Sequence, residues 1–355
     1  MKPIWYAAGG LLWLLTYSAC LITPPPPEPI LWEKAVDFET NTPIRDLHAT
    51  PLELRVLTDD EFIRIGPESA VVERRVLPVP FEFYGRPVLS ESTFARLTRT
   101  AAQGGAILEL HLALNPDEGR QISYETLRRS PDEVLIPVAG SSAQFPLAYN
   151  DDGDQVLLPV INFSGNAHTF FLFDLQLDFT KTKLISFDTA RVIDIPELPA
   201  STDRLTNITY QNGFYYAITK DGTFRIDPSD GSYAKVIATW LYDSFARNDT
   251  LFASGRGLDL HFSLDNGQTW LERETSSEVR LANVIGDRVF SQAFPGDLLR
   301  LADGELEAVQ PLKLNEEFPG TPTDAYADLV YFYNGYYLAI QKEIYLSCGI
   351  QAATE

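Results

Sequence analysis

The strongest constraint on how this chain can fold is a repeat within it. Tyr210-Gln211-Asn212-Gly213-Phe214-Tyr215-Tyr216-Ala217-Ile218-Thr219-Lys220 recurs, without a gap, as Phe332-Tyr333-Asn334-Gly335-Tyr336-Tyr337-Leu338-Ala339-Ile340-Gln341-Lys342. In both copies Asn-Gly separates runs rich in aromatic and β-branched residues. Asn-Gly is the strongest short hairpin signal, because a type I′ turn needs positive φ at both central residues. A hairpin that recurs along a chain cannot bury its apolar faces alone, so neighbouring copies must cover them.

Two further hairpins are predicted between the copies, turning at Asn248-Asp249 and at Gly286-Asp287. The resulting spacing is irregular but close to the roughly 40 to 50 residues of a four-stranded propeller blade. Weaker turns are expected at Gly153-Asp154, Gly85-Arg86 and Thr50-Pro51. Hydrophobic residues are 45% of the chain and aromatics 12%, enough for a large core and too many for a disordered chain. The expected fold is all-β: a single β-propeller over residues 30–350 with about seven four-stranded blades, six or eight also being compatible. The repeats stop at Tyr345-Leu346, one strand short. Leu31 to Val36 is a spare strand predicted to complete the last blade and close the ring, removing an open edge. Ser92 to Thr100 reads as a strand or a short helix, and Asp117 to Arg129 has helical character.

Ser263-Leu264-Asp265-Asn266-Gly267-Gln268-Thr269-Trp270 fits the pattern Ser-x-Asp-x-Gly-x-Thr-Trp. Ser263 and Asp265 can bond turn backbone, Gly267 permits positive φ, Thr269 completes the pattern and Trp270 can pack beneath. The segment resembles the Asp-box of sialidases and other BNR-repeat propellers, where it sits at blade corners away from the active site. The resemblance implies a propeller and not a reaction. Phe224-Arg225-Ile226-Asp227 is similar to the Phe-Arg-Ile-Pro segment of sialidases but lacks the proline, and reads more simply as a strand entering the turn Asp227 to Gly231.

Residues 1–19 hold one lysine, an apolar run from Ile4 to Leu15 and small residues, the layout of an export signal. The run is shorter than the 20 or so apolar residues of a membrane-spanning helix. Tyr17-Ser18-Ala19-Cys20 resembles a bacterial lipobox, departing from it at Tyr17, where Leu is preferred. The resemblance implies lipidation of Cys20. Residues 20–29 contain Pro24-Pro25-Pro26-Pro27 and read as an extended tether. The expectation is a lipoprotein of the bacterial cell envelope, at the outer membrane or cell surface.

Acidic residues outnumber Lys and Arg 49 to 28, for a formal charge of −21. Without a basic cluster, nucleic acid is an unsuitable partner; the acidity describes a solvated surface, or one that attracts cations and basic partners. Cys348 is the only cysteine besides Cys20, so there is no disulfide framework. Asp152 and Asp154, in Asn150-Asp151-Asp152-Gly153-Asp154, are candidate calcium ligands, though the segment lacks EF-hand spacing and a hairpin turn explains it better. The histidines are scattered, and Glu109 with His111 and Asp259 with His261 read as alternate residues of half-exposed strands. The aromatics Tyr331, Phe332, Tyr333, Tyr336 and Tyr337 read as packing between blades.

No catalytic residues and no cofactor are assigned. The functional reading is a monomeric, membrane-anchored propeller that binds or scaffolds an envelope protein, peptide or glycan. The alternative is a carbohydrate-active enzyme, a sialidase-like glycosidase or lyase, which needs convergent carboxylates with Arg or Tyr.

Overall fold

The computed structural model describes residues 32–348 except 36–37, 39, 68–69, 79–81, 84–87, 100–104, 139–146, 202–204, 248–249, 256–258, 275–280, 286–287, 292–297, 303–304, 311–325 and 334. The export segment, Cys20 and the proline-rich stretch lie outside these residues. So do the turn residues Gly85-Arg86, Asn248-Asp249, Gly286-Asp287 and Asn334.

The described strands form seven antiparallel sheets, five of four strands and two of five. The first sheet comprises Ile44–Ala49, Leu54–Thr58, Glu61–Ile65 and Val71–Val76, in spatial order as in sequence. The fourth repeats this plan over Leu205–Gln211, Phe214–Thr219, Gly222–Ile226 and Tyr233–Ile237; the fifth begins at Leu241 and the sixth at Leu281. The second and third sheets differ in their first strand, which is broken in two: Glu82–Phe83 with Val88–Leu89, and Leu135–Pro137 with Ala148–Tyr149. In the seventh sheet Tyr326–Phe332, Gly335–Ile340 and Glu343–Cys348 are joined by Trp32–Lys34, with Trp32 opposite Ser347 and Lys34 opposite Tyr345. First strands of successive sheets lie against one another from Leu205–Gln211 to Tyr326–Phe332, and the last of these lies against Ile44–Ala49. The chain is an all-β propeller.

Alternation along each strand explains why the sheets stack. Side chains point to opposite faces with a period of two, so a strand covered on both faces must be apolar almost throughout. Leu54 and Val56 pack toward Tyr337 and Ala339 of the seventh sheet, while Leu57 packs toward Phe94 of the second. Tyr215 and Ala217 face the third sheet beside Leu157, Phe170 and Leu172; Ile218 faces the fifth beside Leu241 and Ala253. The core is therefore a series of seams between sheets, with each fully buried Leu, Ile or Phe contributing about 1.5–3 kcal/mol.

Thr93–Arg99 is a strand, and Gly119–Ser123 is a strand followed by a 3-10 turn at Tyr124–Leu127, the one helical element among the described residues. Helical expectation near Asp117 to Arg129 thus survives as a single turn. In the second sheet the first hairpin turns at Ser90 to Ser92, with Leu89 opposite Phe94. Val88–Leu89 belongs to the strand before that hairpin.

One device went unnoticed in the sequence. Five first strands are bulged near their start, after Ile44, Leu205, Leu241, Leu281 and Tyr326, and the residue that resumes pairing is Asp46, Asn207, Asp243, Asn283 or Asp328. Asp46 accepts from the Leu47 amide (3.0 Å) and from the Leu89 amide of the second sheet (2.9 Å); Asn207 accepts from the Ile208 amide (2.8 Å). A bulge re-aims a side chain, and at Asp46 and Asn207 it turns the side chain onto backbone amides.

Candidate functional site

Because each sheet is an antiparallel meander, turns joining its first to second and third to fourth strands lie at one end, here called the lower end. Turns joining second to third strands lie at the upper end.

The Ser263 to Trp270 turn is at the lower end and is closed on itself. Ser263 Oγ accepts from the Gly267 amide (2.8 Å) and donates to Asp265 (2.8 Å). Asp265 also accepts from the Thr269 amide (2.8 Å) and hydroxyl (2.6 Å), and these bonds hold its carboxyl down at about 2. Asn266 and Gly267 have φ of 54° and 75°, and Trp270 Nε1 donates to the Gly267 carbonyl (3.0 Å). The turn docks on the fourth sheet: Tyr216 Oη and Arg225 Nη1 donate to the Asn266 carbonyl at 3.1 and 2.9 Å. A Cβ at Gly267 would come within 3.0 Å of the Tyr216 ring. Arg225, in the segment similar to a sialidase strand, is thus committed to backbone and lies over the Phe214 ring (4.6 Å).

The turn holding Asp152 and Asp154 is organised by Asn150. Its Oδ1 accepts from the amides of Asp154 (3.0 Å) and Gln155 (2.9 Å), and its Nδ2 donates to Asp154 Oδ1 (2.6 Å). Among the described residues no group of three carboxylate, His or Cys side chains is placed to hold a metal ion. Asp152 and Asp154 are parts of this hairpin turn. Burial, then Asp152, raises the Asp151 carboxyl above its ordinary range, the one upward shift resolved among the described carboxylates.

Three charged networks lie within or between sheets. In the first, Glu53 accepts from Arg55 (2.7 Å) and Arg64 (2.7 Å), Arg64 also meets Glu73 (2.8 Å), and Arg55 reaches the Glu91 carbonyl of the second sheet. In the second, buried Arg96 pairs with buried Glu109 (2.5 Å), which also accepts from Gln121 (3.2 Å). His111 stacks on Phe94, and Phe94 on Phe62, each at 4.9 Å. In the third, Arg129 bridges Glu133 (2.5 Å) and Asp194 (2.6 Å), which also accept from Asn162 (2.8 Å) and Thr169 (2.5 Å). Burial pushes Glu53, Glu109 and Glu133 up. Their arginine partners, with His111 for Glu109, more than reverse it, and each stays below its ordinary range. Such clamped carboxylates fasten sheets and make poor proton donors.

Among the described residues, the lower end also carries most of the exposed large apolar side chains: Leu52, Phe179, Leu264 and Tyr333 on turns, with Ile185 and Leu271 just beyond. Phe332, Tyr336 and Tyr337 are core residues as expected from the aromatic run, but Tyr333 is solvent-exposed. Phe179 tops the longest hairpin, Ala167–Leu177 with Leu184–Ile195. That tip is held rather than loose. Asp178 accepts from the Thr182 and Lys183 amides (2.9 and 2.8 Å), Lys181 pairs with Glu91 (2.9 Å), and Asn115 donates to the Thr182 carbonyl (3.2 Å).

No protein-family model and no curated protein matches this chain. Solved structures do. The extracellular domain of a putative hybrid two component system from B. thetaiotaomicron is similar at a TM-score of 0.52 with 12% identity, over 91% of this chain and 40% of that one. The CNH domain of AfRom2 is similar at 0.52 with 9% identity, over 91% of this chain and all of that one. PorZ, a surface component of the type-IX secretion system of Porphyromonas gingivalis, aligns at 0.48 with 10% identity, over 91% and 40%. This chain spans about two fifths of the length of the first and last of these. The similarity is one of fold, that of a β-propeller. No described helix is long and apolar enough to cross a membrane.

Proposed function

We propose that this protein is a binding or scaffolding β-propeller of the bacterial envelope, tethered by lipid on Cys20, which takes an envelope protein or peptide at its lower end. In this reading the seven sheets are the blades of one ring, and Trp32–Lys34 closes it as the outer strand of the last blade. The observation that carries the reading is the concentration of Leu52, Phe179, Leu264 and Tyr333 on turns at one end. Exposed aromatic residues held on rigid turns suit a protein interface, since little side-chain entropy is lost when they are covered. Trp32 pairs with Ser347 at that same end. The acidic turns at this end disfavour direct seating on an anionic lipid surface and favour a basic partner. The B. thetaiotaomicron neighbour is an extracellular domain, which agrees with an envelope setting.

The carbohydrate-active alternative needs a carboxylic acid kept protonated beside a second carboxylate. Glu53, Glu109 and Glu133 are each tied to arginine, and Asp151 beside Asp152 is the one described carboxylate raised above its ordinary range. Two measurements test the proposal. Acyl-precursor labelling of wild type against Cys20→Ala tests the anchor, and equal labelling refutes it. A photoreactive side chain placed at Phe179 or Tyr333 in living cells should give discrete protein adducts, and one at Phe163 on the upper end should not. Adducts from neither end, or from both alike, overturn the binding assignment.

A further inference from the structure

Tyr215 has no exposed surface, and its hydroxyl has no hydrogen-bond partner. An unpaired buried hydroxyl costs about 1–3 kcal/mol, and phenylalanine would avoid that cost in a seam otherwise built from Leu157, Phe170, Leu172 and Ala217. The seam becomes polar toward the lower end. Phe170, Leu172 and Asp174 alternate onto the face that packs on the fourth sheet, and Asp174 stands opposite Gln155 at the edge of the Asn150 turn. Burial is the largest influence raising the Tyr215 phenol, and Tyr210, Asp154, Asp174 and Asp151 add to it. Burial, then Asp151, Asp152, Asp154 and Asp227, raises the Tyr210 phenol as well, and its ring meets Tyr215 edge-on at 4.8 Å. The nearby Arg191 is held by the Asp230 and Ser229 carbonyls (3.0 and 2.6 Å) rather than by these carboxylates.

We propose that the polar end of the seam between the third and fourth sheets is a socket for the side-chain cation of a basic polypeptide, an arginine or lysine. The cation enters among Asp151, Asp154 and Asp174, lies along the Tyr210 ring and donates to the Tyr215 hydroxyl. One oxygen of Asp154 already accepts from Asn150 Nδ2 and one of Asp174 from Gln155 Nε2 (2.9 Å), so each carboxylate keeps a second oxygen for an incoming donor. A planar guanidinium can use such divergent acceptors and stack on an aromatic ring, whereas a metal ion needs the converging ligand set that the described residues lack. The socket rests on the lower-end binding reading and gives that reading its partner chemistry.

The test uses the full chain and a fluorescent peptide of alternating arginine and leucine, titrated at physiological ionic strength, with its citrulline counterpart and spermine as comparisons. Asp151→Asn/Asp174→Asn should weaken arginine-peptide binding about tenfold, as loss of charge-assisted contacts predicts. Tyr215→Phe should weaken it roughly threefold with unfolding temperature unchanged or raised. The charge-matched Glu125→Gln/Asp132→Asn pair, away from the socket, should leave it unchanged. Equal binding of the citrulline peptide, equal loss in the charge-matched pair, tighter binding of spermine than of the peptide, or destabilisation by Tyr215→Phe each overturns the socket. If socket variants bind normally but Phe179→Ser/Tyr333→Ser does not, the socket falls and the lower-end reading stands. If no variant alters binding, both fall.

Discussion

The repeated hairpins of the fourth and seventh sheets share a sequence but not a register. In the fourth, Gln211 faces Phe214 and the loop is Asn212-Gly213, with φ of 49° and 86°, the type I′ turn expected. In the seventh, Phe332 faces Gly335, so Tyr333 is in the loop and Gly335 lies inside the strand. The gapless sequence match pairs Tyr210 with Phe332. The structure instead matches Tyr210 with Tyr331: the bulges after Leu205 and Tyr326 coincide, and the edge-on pair Tyr331 with Tyr336 (5.2 Å) reproduces Tyr210 with Tyr215 (4.8 Å). A slip of one residue would turn every side chain to the opposite face. Burial on two faces and the bulge therefore fix the register, and the turn dipeptide yields to them.

The largest expected effect comes from exchanging residues at a matched position. Gly222 has φ of 131° and its Cβ would lie 2.2 Å from the Ile237 carbonyl, whereas its counterpart in the seventh sheet is Glu343. Gly222→Glu should cost about 3 kcal/mol or more in chemical denaturation, and Glu343→Gly no more than about 1. A difference below about 1 kcal/mol would show that the two sheets are not built differently there.

Next is the Asn-Gly glycine itself. A Cβ at Gly335 meets Leu346 Cδ1 at 2.7 Å and the Ser347 carbonyl at 3.2 Å, while one at Gly213 meets nothing within 4 Å. Gly335→Val should cost about 2–3 kcal/mol through crowding, with partial relief by Leu346→Ala. Gly213→Ala should cost about 1 kcal/mol through its positive φ alone, unaffected by Leu346→Ala. Smaller still is Tyr333→Asn. Tyr333 holds φ of 49° where the fourth sheet has Asn212, and asparagine tolerates that region better, so unfolding should show a gain of a few tenths of a kcal/mol.

The gentlest probe is pH. Only the fourth-sheet hairpin touches the Asp265 turn, through Tyr216 and through Asn212, whose Nδ2 donates to Asn266 Oδ1 (3.3 Å). Asp265 titrates at about 2 when folded, against an ordinary 3.8, so its support is complete above about pH 4 and is lost as pH falls toward 2. Amide exchange at Phe214–Thr219 should accelerate over that window, with Gly335–Ile340 unmoved. Equal acceleration in both would sever the proposed coupling. His48, lowered to about 4 by burial and by Arg55, costs the first sheet stability as pH falls from about 6.5 to about 4 and adds no further change below that, so the Asp265 comparison falls outside its range.

How much was legible follows from the range of each interaction. Asn212-Gly213, Gly153 and the Ser263 to Trp270 turn were readable because their bonds join residues within a few positions of one another. The Asx bulges had a local signal, an apolar residue followed two positions later by Asp or Asn, hidden by its commonness. Nothing in the sequence marked Tyr215 as unpaired or set Asp174 on the face that packs against the fourth sheet, since both depend on how the third sheet packs on the fourth.

By itself the sequence determined that the chain is all-β and repetitive, since alternation and turn chemistry are properties of neighbouring residues. It also determined the internal bonding of the Asp265 turn. Tertiary structure alone decided the register of the second hairpin, the exposure of Tyr333 and Phe179 at one end, and the placing of Asp174 on the face that packs against the fourth sheet. Each of those depends on which face of a strand another sheet covers, and that is settled only when residues far apart in the chain compete for the same buried space.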